Sequence, residues 1–151
     1  MPVACQGGPS AARYFAVRLL PGADLRRSIE EFARANDIRA GAVVTCVGSV
    51  STAVLRMADR TDLTRLGGPR EIVSLVGTVG AGGCHLHLSV SDERGVTVGG
   101  HLAEGTVVRT TAEIVLADLG DLSFERVQDS RTGYRELNIS TRPAKEAGTR
   151  L

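Results

Sequence analysis

The stretch Cys84–Leu102, CHLHLSVSDERGVTVGGHL, decides the fold and holds the candidate site. It reads as two strands, Cys84–Ser91 and Val96–Leu102, joined across Asp92-Glu93-Arg94-Gly95, a strong hairpin signal. All three histidines of the 151-residue chain, His85, His87 and His101, lie inside it. On a strand, side chains at i and i+2 share a face with Cα atoms ~6.5–7 Å apart, so His85 and His87 can reach one ion. His101 lies on the partner strand. Three imidazoles suit zinc and leave a fourth position for water or substrate.

Register tests this arrangement. A plain four-residue loop pairs Ser91 with Val96, hence Leu86 with His101, and turns His101 to the face opposite the other two histidines. A common site therefore requires an odd-length loop or a bulge, and Gly99-Gly100 is placed to supply one. Cys84 stands beside His85, but adjacent strand residues face opposite ways, so Cys84 is expected as a buried structural thiol. Glu104 can be read as a fourth ligand, a carboxylate that orients a ligating histidine, a general base or a solvated loop carboxylate.

Working outward, Tyr14–Leu20 favours a strand and stops at Pro21-Gly22. From Asp24 the period changes, with Leu25, Ile29, Phe32 and Ala33 on one face and Arg26, Arg27, Glu30, Glu31 and Arg34 on the other. This is the one long amphipathic helix, with Asp24 as its N-cap and Asn36-Asp37 as its stop. Gly41–Val47 and Thr52–Met57 read as strands flanking a turn at Gly48-Ser49. Glu71–Val79 follows a loop at Leu66-Gly67-Gly68-Pro69. Val107–Leu116, Phe124–Gln128 and Arg135–Ile139 complete the set. The fold class is α+β: an antiparallel-rich sheet of six to eight strands, covered on one face by one main helix. The domain is expected over 13–140, with flexible tails at 1–12 and 141–151.

Composition narrows the function classes. Hydrophobic residues at 42% and charged residues at 23% suit one packed domain. With 18 basic and 17 acidic side chains the net charge is +1, which gives no electrostatic reason for a nucleic-acid or anionic-membrane partner. Cys5, Cys46 and Cys84 have no paired spacing, which suits a reducing compartment. Neither a signal peptide nor a run of about 18 apolar residues is present, so a cytoplasmic location is expected. The glycines at 77, 80, 82 and 83 are followed by no lysine and open no helix, which favours a turn over a phosphate cradle. Glu71 and Glu113 fall in apolar strands, where each is expected to meet an arginine, within the chain or across a subunit boundary, with Arg70 and Arg109 as candidates.

Several motifs, in order, resemble one family. They are Gly68-Pro69-Arg70-Glu71-Ile72-Val73-Ser74-Leu75-Val76-Gly77-Thr78, then His85-Leu86-His87-Leu88-Ser89, then Gly99-Gly100-His101-Leu102 with Glu104-Gly105. Thr111-Ala112-Glu113 follows, and Thr132-Gly133-Tyr134 with Glu136-Leu137 comes last. Together they resemble the PPC domain, also written PCC (plants and prokaryotes conserved), over roughly residues 13–140. The resemblance implies a curved antiparallel-rich sheet, assembly as a homotrimer, and a zinc ion on the histidine positions in stand-alone prokaryotic-type members. Only His85, His87 and His101 carry that ligand role here. Plant members fuse the domain to AT-hooks that grip DNA, and the hook's Arg-Gly-Arg-Pro core is absent from this chain. The leading expectation is a zinc-binding homo-oligomeric module without an assigned reaction. The alternatives are a zinc-dependent hydrolase or lyase using Glu104 as base, and a DNA-associated regulator, which the net charge disfavours.

Overall fold

A computed structural model describes residues 5–143, so residues 1–4 and 144–151 of the two expected tails lie outside the described residues. Eight strands and one helix follow in the order β1 (Ala12–Leu19), α1 (Leu25–Ala35), β2 (Ala40–Arg56), β3 (Leu63–Gly80), β4 (Gly83–Ser91), β5 (Thr97–Leu102), β6 (Val107–Leu119), β7 (Leu122–Gln128) and β8 (Arg135–Thr141). The fold is α+β, as the periodicities imply. Six strands form one sheet in the order β1-β6-β2-β3-β4-β5, and all of its strand pairings are antiparallel. The far end of β2 also pairs with β5, through Leu55 opposite Leu102 and Arg56 opposite His101. Strands β2, β3, β4 and β5 therefore close on themselves, which forces strong curvature on the sheet.

The core lies inside that curvature. Leu25, Ile29 and Ala33 of α1 are buried against Leu75, Leu86, Leu88, Leu102, Ile114 and Leu116 of the sheet. Full burial of side chains such as Leu25 and Ile29 stabilises by about 1.5–3 kcal/mol each, more than helix propensity supplies over so short a segment. A smaller cluster, Ala40, Leu122 and Phe124, seats the β7–β8 hairpin on the sheet. No helix among the described residues is long and apolar enough to cross a membrane.

Asp24 caps α1 as expected and does more. One carboxylate oxygen accepts from the Arg27 backbone N–H at 3.0 Å, and the other accepts from the Gly105 N–H at 2.7 Å. The helix start and the loop after β5 thus share one side chain. Asp24→Ala is expected to cost about 2 kcal/mol in urea unfolding, one part for the cap and one for the unpaired Gly105 amide. Asp24→Asn retains the cap and should recover about half of that loss. Equal losses in the two variants would show that the cap contributes nothing.

Three local expectations need correction. Gly48-Ser49 is not a turn, because β2 runs through it. A Cβ on Gly48 would lie 2.0 Å from the Thr111 carbonyl oxygen of β6, so the glycine permits close strand approach. Leu66-Gly67-Gly68-Pro69 is not a free loop either. It lies within β3, where Val50 pairs with Arg70 but Thr52 pairs with Gly67, so Gly68 and Pro69 absorb one extra residue. A bulge tolerates a proline because the missing N–H leaves no ladder bond unmade. Finally, Glu71 and Glu113 are exposed and form no ion pair within the described residues. The pleat turns both carboxylates out of the core, so neither needs an arginine from its own chain.

Candidate metal centre

Strand β4 alternates throughout. Cys84, Leu86, Leu88 and Val90 are buried in the core, whereas His85, His87 and Ser89 face the other way. Cys84 is thus the expected structural thiol. Its Sγ donates to Glu30 Oε1 at 2.9 Å, and burial followed by that bond pushes the thiol up to about 12.

The hairpin resolves the register question by loop length. Ser91 pairs with Thr97 and His87 with His101, so the connection is five residues, Asp92–Val96. Asp92 makes this possible: its Oδ1 accepts from the backbone N–H groups of Arg94 and Val96, each at 2.9 Å, and draws Val96 into the loop. No bulge at Gly99-Gly100 is needed. Gly100 instead lets β2 approach, since a Cβ there would lie 2.8 Å from the Arg56 carbonyl oxygen. That approach completes a row of cross-strand neighbours, Arg56–His101–His87–Val76, along the face opposite the core.

The three imidazoles converge on this face. Ring centroids are 5.0 Å apart for His85 and His87, 5.2 Å for His85 and His101, and 5.8 Å for His87 and His101. The Nε2 atoms of His85 and His87 are 3.2 Å apart, and one donor atom from each of the three rings lies within 4.8 Å of the others. Two nitrogens bound to one tetrahedral zinc stand about 3.3 Å apart, so the first pair already has bonding separation.

Electrostatics favour the metal-competent form. Burial, then Arg56 and His85, lowers His101 to about 4. His85 is lowered too, first by burial, then by Arg126 and His87. Both rings are neutral at pH 7 and keep a lone pair free. The Nδ1 of His101 is buried with no hydrogen-bond partner, a cost that a ligated ion or a bound acceptor would remove. These residues fit a divalent transition metal.

Protonation carries a stability consequence. Because the folded His101 titrates near 4 and the free side chain near 6.5, the unfolded chain binds more protons between those values. The contribution is fully present above about pH 6.5 and is lost as pH falls toward about pH 4. The urea midpoint of metal-free protein should therefore drop from about pH 7.5 to about pH 5, and drop less in His101→Gln. Equal drops in both proteins would contradict this.

Glu104 is not brought to the cluster. Its carboxylate pairs with Arg27 of α1 at 3.0 Å, and both side chains are more than half exposed, which fits the solvated-loop reading. Sequence reasoning missed Arg56, Arg126 and Glu136, which line the space beside His85 and His101. Only the β2–β5 register and the docking of the second hairpin bring them there, and neither leaves a local sequence signal.

Comparison with known proteins agrees with this architecture. The model of the Plants and Prokaryotes Conserved (PCC) domain matches residues 6–120. A bifunctional protein GlmU from Synechococcus sp. (strain JA-3-3Ab) is 49% identical over 127 residues, covering 84% of this chain and 20% of the relative. The chain thus spans about a fifth of the length of the curated relatives it matches. Among solved structures, a hypothetical protein from Salmonella enterica is 42% identical with a TM-score of 0.88, covering 91% of this chain and 99% of the other. The metal-containing protein AF0104 of Archaeoglobus fulgidus is 29% identical with a TM-score of 0.79, covering 89% and 99%.

Proposed function

The chain belongs to the Plants and Prokaryotes Conserved domain family, and from that premise we propose that it is a homo-oligomeric metal-binding module, with zinc on His85, His87 and His101. The observation that carries this reading is the convergence of three imidazoles, one donor atom from each within 4.8 Å of the others. A similar solved structure described as metal-containing supports it. Three imidazoles and no carboxylate give a ligand set of intermediate softness that suits zinc, with one coordination position left for water or a small ligand.

Assembly as a trimer is the second part of the proposal. Val44, Val47, Val73 and Val76 of β2 and β3 are each more than half exposed, and such apolar surface suits a covering copy. The free thiols of Cys5, Cys46 and Cys84 suit a reducing, cytoplasmic setting.

Elemental analysis of protein purified without a nickel column tests the metal, and light scattering on the same sample tests the assembly. One zinc per chain and a mass of three chains are expected. Less than a tenth of an equivalent after incubation with zinc and dialysis would overturn the metal reading.

A further inference from the structure

Beside the histidines, on the side formed by the β7–β8 hairpin, lies an open cavity of about 430 Å³. Its lining includes Arg56, Arg126, Arg135, Tyr134 and Glu136 together with His85 and His101. Three arginines and one glutamate thus line it, and the imidazoles add no negative charge. The arginines are also under-used. The Arg56 side chain makes no hydrogen bond or ion pair among the described residues. The Arg126 guanidinium donates only to the Thr78 hydroxyl at 2.9 Å, and that of Arg135 only to the Arg126 carbonyl oxygen at 2.6 Å, among the described residues. None of the three is neutralised by an acidic partner within the described residues.

Such a surplus is costly beside a cation. A zinc ion on three neutral histidines keeps its full double charge, and Arg56 stands directly across from His101 in the strand register. An anion in the cavity relieves both repulsions, and guanidinium forks match planar carboxylates and phosphates in geometry. The volume falls within the range of small-molecule sites.

We propose that this cavity binds a small oxyanion, a carboxylate or phosphate compound, held by Arg56, Arg126 and Arg135 next to the histidine cluster. The inference rests on the metal reading for the ion's charge, while the arginine cradle stands on its own geometry. Tyr134, at the exposed mouth, offers a hydroxyl to the outer end of the ligand. Glu136 disfavours a ligand negatively charged along its whole length and favours one with a single anionic head.

Calorimetric titration of inorganic phosphate and of acetate into the full-length chain, zinc-loaded and chelator-treated, tests the site and separates the two anion classes. Saturable binding of at least one anion at one per chain is expected. Arg56→Gln and Arg126→Gln should each weaken it by about tenfold or more. Zinc content, measured on every sample, should stay at one per chain in both variants. A zinc-loaded chain that binds neither anion, or binds equally well in both variants, overturns the proposal. Arginine-dependent anion binding by a chain that never retains zinc sinks the metal reading and upholds the anion site.

Discussion

Gly77→Ala is expected to destabilise the protein by about 3 kcal/mol or more, although it adds a single methyl group. Gly77 lies mid-strand in β3 with φ at +139°, a backbone region that side-chain-bearing residues rarely adopt. A Cβ there would lie 2.0 Å from the His85 carbonyl oxygen and 2.9 Å from the Leu86 Cα. Both neighbours are backbone, so no rotamer change relieves the clash and β3 must move away from β4. Gly77 pairs with Leu86, which is almost fully buried, so this movement opens the core and displaces His85 together. Gly67→Ala provides the control, since a Cβ there meets nothing within 4 Å. Urea unfolding should leave Gly67→Ala within about 0.5 kcal/mol of the parent. A loss below about 1 kcal/mol in Gly77→Ala would show that the strand approach is looser than described.

His87→Ala should have the opposite profile, leaving the fold intact and removing the metal. His87 is exposed on the outer face of β4, so truncating it opens no cavity, and metal-free stability should change by no more than about 0.5 kcal/mol. Its ring nonetheless forms one corner of the triangle, 5.0 Å from His85 and 5.8 Å from His101. Without it two imidazoles remain, and affinity for zinc should fall by at least about a hundredfold, beyond the loss caused by removing an outer-shell partner. Competition with a chromophoric chelator measures the affinity, and thermal melting with and without zinc separates folding from binding. Unchanged affinity with a normal melt would remove His87 from the ligand set.

The parts of this molecule legible in its sequence are those governed by local periodicity. The spacing of Leu25, Ile29 and Ala33 identified the buried face of α1, and Asp24 its cap. The i, i+2 relation of His85 and His87 fixed their shared face without any knowledge of the sheet. Their union with His101 can be framed only as a condition, an odd-length loop or a bulge, because a one-residue change in register moves a strand's side chains to the other face. The Asp92 carboxylate decides that condition through bonds to two backbone amides.

Elements governed by distant partners could not be read. Gly48-Ser49 has the composition of a turn, yet Thr111 on β6 dictates its role as a close approach within a continuous strand. Gly68-Pro69 likewise has a loop's composition and serves as a bulge. Arg56 reaches the candidate site only because β2 curls far enough to pair with β5, and Arg126 only because the β7–β8 hairpin docks through Phe124 on Ala40. Glu104 lies three residues past His101 in the sequence, but the chain turns it toward Arg27.

Anomalous diffraction from crystals of the zinc-loaded protein, recorded on both sides of the zinc absorption edge, tests the metal centre most directly. One peak per chain is predicted at about 2.0–2.1 Å from a nitrogen of each of His85, His87 and His101. A map without a peak among these rings, or with zinc held by other residues, would contradict it.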